Sequence, residues 1–234
     1  MCEFHKKVAV IQSNYIPWKG YFDIINSSDL FIFYDDVQFT KNDWRNRNKL
    51  KTQKGVDWIS VPCGGTIHRL ICEVALEDPS WQKSHWDKIK QAYAKAQFFK
   101  YYKAFFEDIY LKRQWKNLSE LNQHLIKEIC KLLHITTRFD DSRNYSLRNM
   151  QNERLLDLLT QVGATEYLSG PSAKSYICEK SFSKANIKLT YIDYSAYPAY
   201  QQLFPPFVHE VSIIDLLFNE GPDASKYMMS FMRT

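Results

Sequence analysis

The chain has 234 residues, 45% of them apolar and 15% aromatic, with a formal net charge of +5. That length can bury a sizeable core, and the modest charge permits an anionic partner without demanding one. No apolar run approaches the ~18 residues of a membrane span, and MCEFHKKVAVIQ lacks a leader-like apolar stretch, so no membrane insertion and a cytoplasmic location are expected.

In chain order, Val8–Ile11 and Leu30–Tyr34 are apolar runs too short for helices, and their lack of alternation predicts parallel strands buried on both faces. An amphipathic segment, 19–26, lies between them. Lys54-Gly55 predicts a turn before a strand at 58–61, and 68–76 reads as extended. Residues 78–133 change character. Asp78-Pro79 forms a helix start, and helical spacing recurs at 81–96, 98–110 and 119–133. The aromatic residues of this insert read as packing. From Ile135 the rhythm returns: a strand at 135–139, a helix at 152–160 ended by Gly163, a strand at 165–170, a helix at 173–185 and a strand at 187–194. Two short helices are expected at 211–218 and 222–231. The whole predicts one α/β unit over 1–234, a doubly wound and mostly parallel sheet of Rossmann-like layout, with a helical insert at about 78–133 and a helical tail at about 211–231.

In such sheets ligands bind beyond the carboxyl ends of the strands. The first of these ends carries Gln12, Asn14, Tyr15, Trp18 and Tyr21, a mixture of amides, phenols and an indole suited to a sugar or base. The second carries Asp35, Asp36 and Gln38. Either acid could act as a base or hold Mg²⁺, but adjacent residues on a strand face opposite ways, so one at most is expected at a given site. Downstream, Arg45 and Arg47 offer planar guanidinium forks for phosphate, with Lys49 adding a point charge and Asn46 interleaved among them. Gly170, Ser172 and Lys174 stand at a strand-to-helix junction that can receive an anion. His209 is a further candidate base. Cys2, Cys63, Cys72, Cys130 and Cys178 show no zinc-type spacing and read as buried, reduced thiols; no metal site is predicted from them. No Gly-x-Ser-x-Gly elbow and no dinucleotide glycine fingerprint is present.

The stretches VAVIQSNYIPWKGYFDIIN, FYDDVQFTKNDWRNRNKLK, YLSGPSAKSYI, PAYQQLF and VSIIDLLFNEG, in this order, resemble the WbqC-like family over nearly the whole chain. The resemblance implies a role in bacterial surface-polysaccharide (O-antigen) synthesis and, as an activity, attachment of a glycyl or other aminoacyl group to a sugar. A phosphorylated or nucleotide-linked sugar is the implied partner. ATP and a charged tRNA both stay open as sources of the acyl group, and nucleic acid is otherwise not expected to bind. A looser likeness joins the strand, Pro17-Trp18-Lys19-Gly20-Tyr21, helix, strand opening to nucleotidylyltransferase-like folds, with Trp18 and Tyr21 standing where those folds carry histidines. The rival expectation is a non-catalytic binder or scaffold of polysaccharide assembly. Nucleic-acid binding, suggested by the basic and aromatic run near Trp44, ranks below both because the net charge is only +5 and no nucleic-acid motif is present.

Overall fold

The computed structural model describes residues 5–147, 151–175 and 177–232. In order these form β1 (Lys7–Ile11), α1 (Lys19–Asn26), β2 (Leu30–Phe33), β3 (Arg47–Thr52), β4 (Gly55–Ser60), α2 (Ser80–Tyr93), α3 (Phe99–Glu107), α4 (Leu118–Leu132), β5 (Arg138–Asp141), α5 (Gln151–Gln161), β6 (Glu166–Ser169), α6 (Glu179–Lys184), β7 (Lys188–Tyr191), α7 (Ile213–Glu220) and α8 (Met229–Met232).

Five strands make one parallel sheet in the order β5-β2-β1-β6-β7. Alternate residues of its central strands feed two cores. Ala9, Phe31 and Phe33 pack with α1 and α4 on one face. Val8, Val10, Leu30 and Ile32 pack with Leu158 and Leu159 of α5 and Phe182 of α6 on the other. Both faces are therefore apolar, which is why these strands lack the alternation of a half-wet sheet. The chain runs outward from β1 through β2 to β5, then returns to β6 on the opposite side of β1. The reversal between β1 and β6 is the topological switch point at which doubly wound sheets leave a crevice.

The insert is built largely from aromatic packing. Trp86 stacks on Phe99 with ring centroids 5.9 Å apart, and Tyr93, Phe99 and Phe106 surround Phe218 of α7. Asp78 accepts the Ser80 N–H (2.8 Å) at the start of α2, and Asn117 accepts the Glu120 N–H (3.2 Å) at the start of α4. The insert is tied to the loop after β1 through a buried trio. The Tyr15 hydroxyl meets His85 Nδ1 (2.8 Å) and the Tyr110 hydroxyl (2.6 Å), while His85 Nε2 faces the Ser60 carbonyl (3.1 Å). Burial holds the imidazole neutral, with its pKa lowered to about 4.

Four segments differ clearly from the sequence reading, one of them the tail helix expected at 222–231, which is a 3-10 helix at Gly221–Tyr227 followed by the short α8. The strand expected at 135–139 forms at 138–141, where parallel pairing sets Leu30 opposite Arg138 and Phe33 opposite Asp141. Region 68–76 makes only single bridges, Gln38 to Leu70 and Ala75 to Asn117, around a 3-10 turn at Ile71–Glu73. The helix expected at 173–185 is a 3-10 turn, Pro171–Ser175, followed by a separate α6. Cys63 and Cys130 are buried free thiols, but Cys72 is only partly covered and Cys178 is exposed. Cys2 and Tyr176 lie outside the described residues.

Candidate functional site

A cleft of about 1020 Å³ opens at the carboxyl ends of β1, β2 and β6, across the switch point. Its lining is contributed mainly by strand ends and the loops that follow them, because only there does the doubly wound sheet leave its edge uncovered by helices.

The β1 end supplies Gln12 and Asn14. Arg45 reaches across to both, donating to Gln12 Oε1 (2.5 Å) and Asn14 Oδ1 (3.4 Å), with Asp43 3.6 Å away. The Tyr21 hydroxyl donates to the Gln12 carbonyl (3.0 Å), so α1 pins the loop it follows. Trp18 stands on the wall edge-on to Tyr194 (4.9 Å). Its indole lies over Gly20, where an added Cβ would come within 2.3 Å of the ring. Glycine there is what lets the indole fold back over the start of α1.

The β2 end separates the two acids. Asp35 is fully buried beneath the loop, where its carboxylate accepts the Ser13 N–H (2.7 Å), the Ser119 hydroxyl and the Gln123 amide (3.1 Å). It joins β1, β2 and α4. Asp36 lies on the cleft wall, accepting from Ser142 (2.5 Å) and from the Arg154 guanidinium of α5. Tyr34 lines the wall beside them, and burial, its main perturbation, raises its phenol pKa. Gln38 is exposed at the rim. The β6 end contributes Ser169, followed by Gly170, Pro171, Ser172 and Ala173 of the turn.

Among the predicted site residues the cleft gathers Gln12, Asn14, Trp18, Tyr21, Asp36, Gln38, Arg45, Gly170 and Ser172. Others sit elsewhere. Tyr15 is buried in the trio described above, and Asn46 spends its amide on the Val61 carbonyl (3.0 Å). Arg47 and Lys49 belong to β3 and turn to Trp58, lying 4.1 and 5.3 Å from its ring, because the period of a strand sends them to the hairpin's other side from Asn48. The Lys174 ammonium lies over the Tyr191 ring (5.0 Å). His209 packs against Phe207 (4.5 Å), with burial, then Lys19, lowering its pKa. Of the residues expected at the rim of the sheet, Asn14 and Ser172 thus line the cleft, Asp35 supports it from beneath, and Arg47 faces away. Tyr34, Arg154, Ser169 and Tyr194 line the cleft without having been singled out. The first and third end β-runs and could have been found by taking each strand's last residues. Arg154 is one cation on an amphipathic helix and carries no such signal.

The WbqC-like family profile matches residues 12–227. The chain belongs to the WbqC-like protein family. It is 47% identical over 225 residues to the uncharacterized protein Rv1507c of Mycobacterium tuberculosis, covering 95% of this chain and 97% of the relative. No solved structure matches it. For this WbqC-like chain no helix among the described residues is long and apolar enough to cross a membrane, and those residues hold no group of three or more His, Cys, Asp or Glu side chains placed to share a metal ion.

Proposed function

We propose that this WbqC-like protein is a transferase that holds a nucleotide-linked amino sugar in the cleft and attaches an aminoacyl group, glycyl in the simplest case, to it during surface-polysaccharide synthesis. The observation that carries the reading is the meeting of Arg45 and Arg154 with the amides Gln12 and Asn14 and the Gly170–Ser172 turn in one crevice. Guanidinium forks bind phosphate oxygens in pairs, and the aromatic walls, Trp18, Tyr34 and Tyr194, offer flat surfaces to a sugar or base. At about 1020 Å³ the space is at the upper end of small-molecule sites, as an extended nucleotide sugar requires.

Of the acids, Asp36 is the one on the wall, so it is the group assigned to take a proton. The sugar amine attacks the acyl carbon, the new C–N bond forms as the donor's C–O bond breaks, the leaving oxygen keeps the electron pair, and the amine proton passes to Asp36. Cleft residues contribute orientation, which alone accounts for much of the acceleration in acyl transfer.

A second reading, a non-catalytic binder, is favoured by one observation: the Asp36 carboxylate is already engaged by Arg154 and Ser142. Incubating the purified protein with nucleotide sugars, glycine and ATP, then with charged tRNA in place of free glycine and ATP, separates the two by mass spectrometry. A gain of one glycyl residue on a sugar supports transfer. Retention of a nucleotide sugar with no mass gain under either donor supports the binder.

A further inference from the structure

Two indoles stand exposed at the β3–β4 hairpin, Trp58 on β4 and Trp44 in the turn that leads into β3. Trp44 is 41% and Trp58 42% exposed, and the two rings lie 5.5 Å apart. Cations are interleaved with them. The Arg47 guanidinium lies 4.1 Å from the Trp58 ring, and the Lys49 ammonium lies 5.8 Å from Trp44 and 5.3 Å from Trp58. Arg47 Nε is buried without an acceptor. Trp58 also forms one wall of a groove of about 710 Å³ between the hairpin and the end of α2, which Lys54, Lys88 and Lys95 line. Among the described residues these three lysines form no ion pair, whereas Lys90 beside them is held by Asp87 (2.8 Å). Among the described residues Asp57 is the one acid in the groove wall.

We propose that this surface binds a single-stranded nucleic acid, with bases stacked on Trp44 and Trp58 and the backbone carried along Arg47, Lys49 and the lysines of the groove. Indole faces accept any base, and a guanidinium lying flat on an indole extends the stack while reaching a phosphate. A duplex hides its base faces and gives the tryptophans nothing to hold. An acidic protein satisfies the lysines but leaves the indoles in water. A neutral sugar chain uses the indoles but not the charge. Only an anion that also carries flat rings meets both halves of the surface. This inference is independent of the cleft reading: the platform lies on the hairpin, the turn before it and the end of α2, and none of its residues lines the cleft. Trp44 and Arg45 are nevertheless adjacent in the chain, so a strand on the platform would pass close to the cleft rim.

The test is fluorescence anisotropy of the full chain with a labelled oligouridylate of about a dozen nucleotides, within the span usual for such sites, read beside intrinsic tryptophan emission. Saturable binding with quenching is expected, with affinity falling steeply as salt rises. Trp58→Ala should weaken it at least ~5-fold and reduce the quenching. The pair Lys88→Glu with Lys95→Glu should weaken binding and flatten the salt slope, and circular dichroism of each variant separates loss of binding from loss of fold. Absence of saturable binding at low salt overturns the proposal. So does binding that Trp58→Ala leaves unchanged, or tighter binding of duplex, of heparin or of polyglutamate with the same dependence on these residues.

Discussion

Asp35 and Asp36 are neighbours in the chain, and the same isosteric change at each should have opposite consequences. At Asp35 every polar neighbour of the carboxylate is a donor: the Ser13 N–H, the Ser119 hydroxyl and the Gln123 amide. Asp35→Asn replaces one acceptor oxygen by an NH₂. Ser119 can rotate to accept, but the Ser13 N–H cannot, and the Gln123 amide is also committed to Asp141 (2.8 Å). Losing one charge-assisted bond and leaving a buried donor unmatched costs about 3 kcal/mol. For a chain of this length that lowers Tm by roughly 6–12 °C. At Asp36 the pair with Arg154 is partly wet, the two side chains being 17% and 23% exposed, so Asp36→Asn should cost about 1 kcal/mol or less. Thermal and urea unfolding of both variants at pH 7 gives the comparison directly. Turnover should be lost in Asp36→Asn at nearly native stability while nucleotide-sugar retention persists, because Asp36 takes the proton and Arg154 is left free for the phosphate. The reasoning fails if Asp35→Asn melts with the parent protein, or if Asp36→Asn is the more damaging of the two.

Three further outcomes are expected. Arg154→Met should weaken nucleotide-sugar binding ~10–100-fold by calorimetry, the loss of one charge-assisted contact to phosphate, while the fold survives. Gly20→Ala places a methyl group 2.3 Å from the Trp18 indole, which must swing away from Tyr194; a loss of about 1–3 kcal/mol in urea unfolding and weaker ligand retention should follow together. His85 is held at about 4 by burial, against an ordinary value of 6.5. Between those two values the unfolded chain binds a proton that the folded chain refuses, so stability drops as pH falls through the window. His85→Gln, which can still accept from Tyr15 and donate to Ser60, should remove up to about 3 kcal/mol of that decline when urea midpoints at pH 7 and near pH 4 are compared.

The sequence by itself determined the doubly wound parallel core, because Val8–Ile11 and Leu30–Phe33 bury both faces and so must be apolar without alternation. It also located the strand ends, and with them Gln12, Asn14, Asp36 and Ser172, since chain topology alone puts those positions at one rim of the sheet. What it could not decide was direction. Asp35 and Asp36 look alike as letters, but the pleat sends one under α4 and the other onto the cleft wall. The run Arg45, Arg47, Lys49 reads as one basic cluster, and only the fold separates Arg45, which sits in the turn before β3 and reaches Gln12, from Arg47 and Lys49 on β3, which face Trp58. Arg154 is brought opposite Asp36 from 118 positions away, and no local pattern encodes a contact that exists solely because α5 packs across the sheet.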